Sequence, residues 1–117
     1  MKELILDMTN KLYSPSYVSK YKPFLPLLTI LQKPKDIERF TNLAKSCLTS
    51  TTYDKLSLIT CPVLIIGAKQ DQIVGDMASH EMQEKLNCDL YMYEDYGHSV
   101  YEEAKDFYER VFGFLDK

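Results

Sequence analysis

Glycine is scarce in this chain. Gly67, Gly75, Gly97 and Gly113 are the four in 117 residues, at successive spacings of 8, 22 and 16. No two lie four apart, so G-x-S-x-G, the strained strand-to-helix turn that presents a nucleophilic serine, cannot be written anywhere in the sequence. The same spacings exclude G-x-G-x-x-G and the G-x-x-x-x-G-K-[ST] phosphate loop. Cysteine is sparse as well: Cys47, Cys61 and Cys88 are an odd number with no C-x-x-C pair. That argues against a disulfide framework and a zinc site, and leaves reduced, buried thiols as the expectation. The two histidines, His80 and His98, form no H-x-x-x-H pair. No metal and no cofactor are expected.

Charge of one sign is also lacking. A net charge of −3 supplies no basic surface for nucleic acid or for an anionic membrane. No apolar run approaches the roughly 18 residues of a spanning helix. The first residues, Met1-Lys2-Glu3-Leu4-Ile5-Leu6-Asp7, are too acidic and too short in apolar content for a signal peptide. A cytoplasmic protein is expected. At 45% hydrophobic and 26% charged, the composition is that of a globular domain.

What is present is concentrated between Cys61 and Ser99. Val63-Leu64-Ile65-Ile66 stands between Pro62 and Gly67, an apolar run that fits a strand buried on both faces of a parallel sheet. A polar turn with Asp71 follows, then a predicted helix over Gly75–Leu86 and a second strand over Asp89–Tyr93. The loop Glu94-Asp95-Tyr96-Gly97-His98-Ser99 closes the unit. A strand-helix-strand crossover puts both strand ends on one edge of the sheet, where ligands of open α/β sheets bind. Asp71 and His98, 27 positions apart, would meet there. A carboxylate bonded to an imidazole is the orienting half of a Ser-His-Asp triad. Spacing alone is also open to two unconnected loop residues, and Glu94 or Asp95 is a nearby alternative partner for His98.

The first half reads as helical. Leu4, Ile5, Met8 and Leu12 fall at helical spacing over Lys2–Leu12. Ser14-Pro15-Ser16 stops that helix, and Ser16 is placed to cap a second one carrying Tyr17, Tyr21, Phe24, Leu27, Leu28 and Leu31. Pro23 and Pro26 within it predict a break or kink. Asp36 is placed to cap a third helix, with Ile37, Phe40, Leu43, Ala44, Cys47 and Leu48 as its stripe.

From about Leu56 to Leu115 the sequence resembles the C-terminal part of the α/β-hydrolase family. The family's acid-bearing loop matches Gly67 through Asp71, followed by Ile73-Val74. Its G-H turn matches Gly97-His98, followed by a helix expected from about Tyr101 to Leu115. The resemblance implies Asp71 as triad acid and His98 as general base. It implies an α/β fold, a partial α/β-hydrolase core over residues 56–117 with parallel strands, preceded over residues 1–55 by a helical segment similar to a cap. In a cap, Tyr17, Tyr21 and Phe24 would overhang a substrate pocket; read by spacing, they are an ordinary core stripe.

The part of the family pattern that carries the nucleophile has no counterpart here. Ser99 is adjacent to His98 but sits on no strained turn, Cys88 precedes a strand, and His80 lies on a helix face with Asp76, Glu81 and Glu84. The expectation is therefore a serine-hydrolase-like chain, inactive alone, that acts on an ester, thioester or amide-type acyl substrate only when completed. A non-catalytic interaction module, or one half of a split hydrolase, is the alternative. Two parallel strands leave an open edge, so a homo-oligomer covering that edge is expected.

Overall fold

The computed structural model describes residues 2–24, 26–27, 36–49 and 51–117. Its centre is a parallel pair, β1 (Leu64–Ala68) and β2 (Asp89–Tyr93), in the register Leu64 with Asp89 through Ala68 with Tyr93. β1 starts one residue later than the apolar run predicts and extends through Gly67 and Ala68. Side chains alternate across a strand, so Ile66, Ala68, Tyr91 and Tyr93 share one face while Ile65, Gly67, Leu90 and Met92 share the other.

Both faces are covered. Helix α4 (Asp76–Leu86) crosses between the strands and lies against the Gly67 face. A methyl on Gly67 would come within 2.5 Å of Ser79 Oγ on this helix and 2.6 Å of Met92 Sδ on the neighbouring strand β2. The opposite face holds the core, where Ala68, Tyr93, Val100 and Ala104 are buried together and Ile66, Tyr91, Tyr96 and Phe107 pack around them. Val100 and Ala104 belong to the chain's last stretch. That stretch is not the single helix expected from Tyr101 to Leu115: it is α5 (Val100–Glu103) and α6 (Phe107–Leu115). Ala104 adopts an extended conformation (φ −85°, ψ 122°) between them, which turns its methyl into the core. Asp106 then bonds both the Tyr93 hydroxyl (2.9 Å) and Arg110 Nε (2.7 Å), tying α6 to β2.

The first half is helical: α1 (Lys2–Leu12), α2 (Pro15–Tyr21) and α3 (Ile37–Thr49), with 3₁₀ turns at Lys22–Phe24 and Tyr53–Leu58. The cap of α2 is Ser14, not Ser16. Pro15 occupies the first helical position, where its fixed φ suits a helix and its missing N–H is not needed, and the Ser14 hydroxyl accepts the Tyr17 amide at 3.3 Å. α2 ends at Tyr21, ahead of Pro23, which has no N–H to continue the ladder; Leu28 and Leu31, expected on the same face, lie outside the described residues. Asp36 caps α3 as expected, its Oδ1 accepting the Arg39 amide at 2.9 Å. The stripe on α3 is exposed throughout, Leu48 at 87%. Cys47 and Cys61 are exposed and Cys88 is half-buried, so the expectation of buried thiols fails. Among the described residues no helix is long and apolar enough to cross a membrane.

The corner between α1 and α2 presses on the loop after β2. A methyl on Gly97 would stand 2.8 Å from the Leu12 carbonyl oxygen and 3.0 Å from the Ser14 nitrogen. These are backbone atoms and cannot swing aside. Gly97→Ala is expected to destabilise the fold by about 1–3 kcal/mol through overpacking, whereas Gly113→Ala, with open space around it in α6, should stabilise by roughly 0.5–1 kcal/mol. Urea denaturation of the two variants checks both signs.

Candidate functional site

The parallel register brings the loops after β1 and β2 side by side, and backbone bonds lace them together. The Lys69 amide donates to the Tyr93 carbonyl at 2.8 Å, and the Gln70 amide to the Tyr96 carbonyl at 3.2 Å. The chain then turns tightly, the Asp71 amide donating to the Ala68 carbonyl at 3.2 Å. Asp71 Oδ1 accepts the amides of Ile73 (2.7 Å) and Val74 (3.0 Å), a side-chain turn that fixes the carboxylate in one orientation. Its other oxygen, Oδ2, lies 2.8 Å from His98 Nδ1.

An ionised carboxylate only accepts, so Nδ1 carries the proton and donates, leaving Nε2 as the acceptor nitrogen. The Asp71 side chain is 10% exposed and that of His98 is 36% exposed. The pair therefore joins a largely buried carboxylate to a more accessible imidazole. Burial by itself pushes the Asp71 carboxyl up; the bond from His98, the Val74 and Ile73 amides and the attraction of the imidazole outweigh it, holding Asp71 below the usual carboxylate value.

The neighbouring acids do not take this place. Glu94 pairs with Lys69 at 2.8 Å, and no bond joins Asp95 to the imidazole among the described residues. Ser99 is 4% exposed, with its amide donating to the Leu12 carbonyl at 2.8 Å. Cys88 stands at the opposite edge of the sheet, where it lines a cavity of about 240 Å³ with Cys61, Pro62 and Phe114. His80 is half-buried on α4. Among the described residues no cluster of three or more His, Cys, Asp or Glu could hold a metal ion.

Of the aromatic residues expected over a pocket, Tyr17 and Tyr21 form a ladder with Tyr13. Tyr17 stacks on Tyr13 (centroids 4.8 Å apart) and leans on Tyr21 (4.6 Å), while Phe24 is 60% exposed. Tyr17 lines a cavity of about 240 Å³ with Ser16, Lys20, Tyr96 and Glu103, and neither Asp71 nor His98 is on its wall. Glu103 is the residue that sequence reasoning passed over. It accepts the Gly97 amide next to His98 and the Ser14 amide and hydroxyl from the α1–α2 corner. In sequence it is one of two adjacent acids on a short helix, a pattern that reads as a solvated surface.

No family model matches the chain, and no curated protein does. Among solved structures it is similar to MGS-M2, an α/β hydrolase enzyme from a Medee basin deep-sea metagenome library. The TM-score is 0.77 and the identity 27%, over 92% of this chain and 42% of that one. The fold is a partial α/β-hydrolase fold. The chain spans less than half the length of the enzyme it matches.

The lowered Asp71 value has a thermodynamic consequence. A carboxyl with a folded pKa below its unfolded one stabilises the fold above the unfolded value, and that stability is lost as pH falls through the folded value. Asp71→Asn should therefore flatten the acid limb of the stability profile below about pH 4, measured by chemical denaturation at stepped pH. An acid limb as steep as the wild type's would count against the assignment of that charge.

Proposed function

We propose that this chain supplies the acid and base of an α/β-hydrolase serine triad, with Asp71 as acid and His98 as base, and that the nucleophile comes from polypeptide this sequence does not contain. The observation that carries the reading is the 2.8 Å bond from His98 Nδ1 to a largely buried carboxylate on the edge where both parallel strands end. With Nδ1 committed to Asp71, Nε2 can take the proton of a serine hydroxyl as that oxygen attacks an acyl carbon. Asp71 keeps the imidazole in that tautomer and stabilises the imidazolium, which then returns the proton to the leaving group. The substrate class is an ester, thioester or amide-type acyl compound, and no cofactor enters. With no G-x-S-x-G in the sequence, the isolated chain should not turn over.

Complementation tests this. The chain alone should take no label from a fluorophosphonate probe. Combined with the part of an α/β hydrolase that bears the G-x-S-x-G turn, the complex should be labelled and should cleave activated esters. In that complex His98→Ala should abolish turnover and Asp71→Asn should lower kcat by about 10⁴. Wild-type rates in either variant would rule out the assignment, and persistent silence of the complex would favour a non-catalytic interaction module.

We also propose that a second copy covers what the isolated chain leaves open. The sheet has two strands among the described residues, and large apolar side chains stand exposed, among them Phe40, Leu43, Val74 and Phe112. Light scattering should find a homodimer or larger assembly. A strict monomer across the micromolar range would exclude it.

A further inference from the structure

Glu103 sits on α5, five positions after His98, and its half-buried carboxylate reaches two separate segments. Oε1 accepts the Gly97 amide at 3.2 Å and the Ser14 amide at 3.0 Å, while Oε2 accepts the Ser14 hydroxyl at 2.5 Å. Ser14 is 1% exposed. On the other side of His98, the Ser99 amide donates to the Leu12 carbonyl at 2.8 Å. Both residues flanking the histidine are thus tied by their backbones to the α1–α2 corner, one through Glu103 and one directly, while the ring is held by Asp71. Bonds to an ionised acceptor are roughly twice as strong as neutral ones, and withdrawing the acceptor would strand amides in a part-buried corner.

We propose that Glu103 is a positioning residue for His98, holding the imidazole in reach of Asp71 by tying Gly97 to the Ser14 corner. The proposal rests on the reading of His98 as base and Asp71 as its orienting acid. Glu103 touches neither ring. It acts through the backbone beside His98, and it makes the helical half of the chain a determinant of the histidine's geometry.

The test reads the imidazole directly in the 117-residue chain, by NMR of ¹⁵N-histidine-labelled protein at mildly alkaline pH. In the wild type His98 should show the Nδ1–H tautomer with a downfield Nδ1 proton, and Asp71→Asn should remove that resonance. Glu103→Ala should remove it too, although Asp71 is intact. Glu103→Gln should restore it, because the amide oxygen can take the two backbone amides while its NH₂ donates to the Ser14 hydroxyl. A merely structural glutamate would lower the melting temperature of the Ala variant and leave the resonance in place, which would overturn the proposal. If Glu103→Ala loses its native amide spectrum, Glu103→Asp decides: one methylene shorter, it cannot span both Gly97 and Ser14, so persistence of the resonance there would equally overturn it. A wild-type spectrum insensitive to Asp71→Asn would instead bring down the acid–base reading itself, and this proposal with it.

Discussion

The site depends on the parallel pairing of Ala68 with Tyr93. In a parallel pair both strands end on the same edge, so whatever follows each strand is delivered to the same place. The pairing continues past the strands, through Lys69 to Tyr93 and Gln70 to Tyr96, and these bonds set the separation of the two loops before any side chain is considered. Asp71 and His98 need then only project toward one another. Were the two strands antiparallel, their ends would lie on opposite edges and the same residues could not meet.

The unit most legible in the sequence is this one, because its signals are local and ordered. A branched apolar run, a carboxylate, a helix, a second strand and a Gly-His turn each have their own spacing, and topology joins them. Less legible is whatever depends on contact between distant segments. The cap of α2 falls on Ser14 rather than Ser16 partly because Ser14 is buried against Glu103, 89 positions away. The last helix breaks at Ala104 because the methyl is drawn into the core with Ala68, Tyr93 and Val100; alanine's helix propensity alone would have continued it. The exposed stripe of α3 shows the converse. Its periodicity predicts a buried face, and periodicity is satisfied whether or not the covering surface is in the chain.

That stripe and the open sheet also bear on energetics. The buried core is small: Ile65, Ala68, Tyr93, Val100 and Ala104 are its hydrophobic members among the described residues. Burial of apolar area is the dominant favourable term in folding. Much of the apolar content is instead on the surface, Leu43 and Leu58 included. A parallel sheet normally lies inside a larger one, and a structural relative more than twice as long is consistent with that. On the reading proposed above, the open surfaces and the nucleophile would both be met by further polypeptide.

The Asp71–His98 pair is held by this chain's own groups, and the reason lies in how its charge is balanced. Asp71 is nearly buried, a situation that by itself disfavours the carboxylate; two backbone amides and an imidazole N–H more than offset the cost. None of these donors comes from outside the chain. Glu103 repeats the arrangement one step away, a carboxylate satisfied by two amides and a hydroxyl. One carboxylate orients the ring and the other restrains the backbone that bears it. Catalytic geometry tolerates errors of only about 0.5 Å, and a loop held at one point would not meet that limit. Held at the ring by Asp71, at Gly97 by Glu103 and at Ser99 by Leu12, the His98 loop is fixed at three points by residues of this chain, which is the preorganisation that the proposed role of His98 as base calls for.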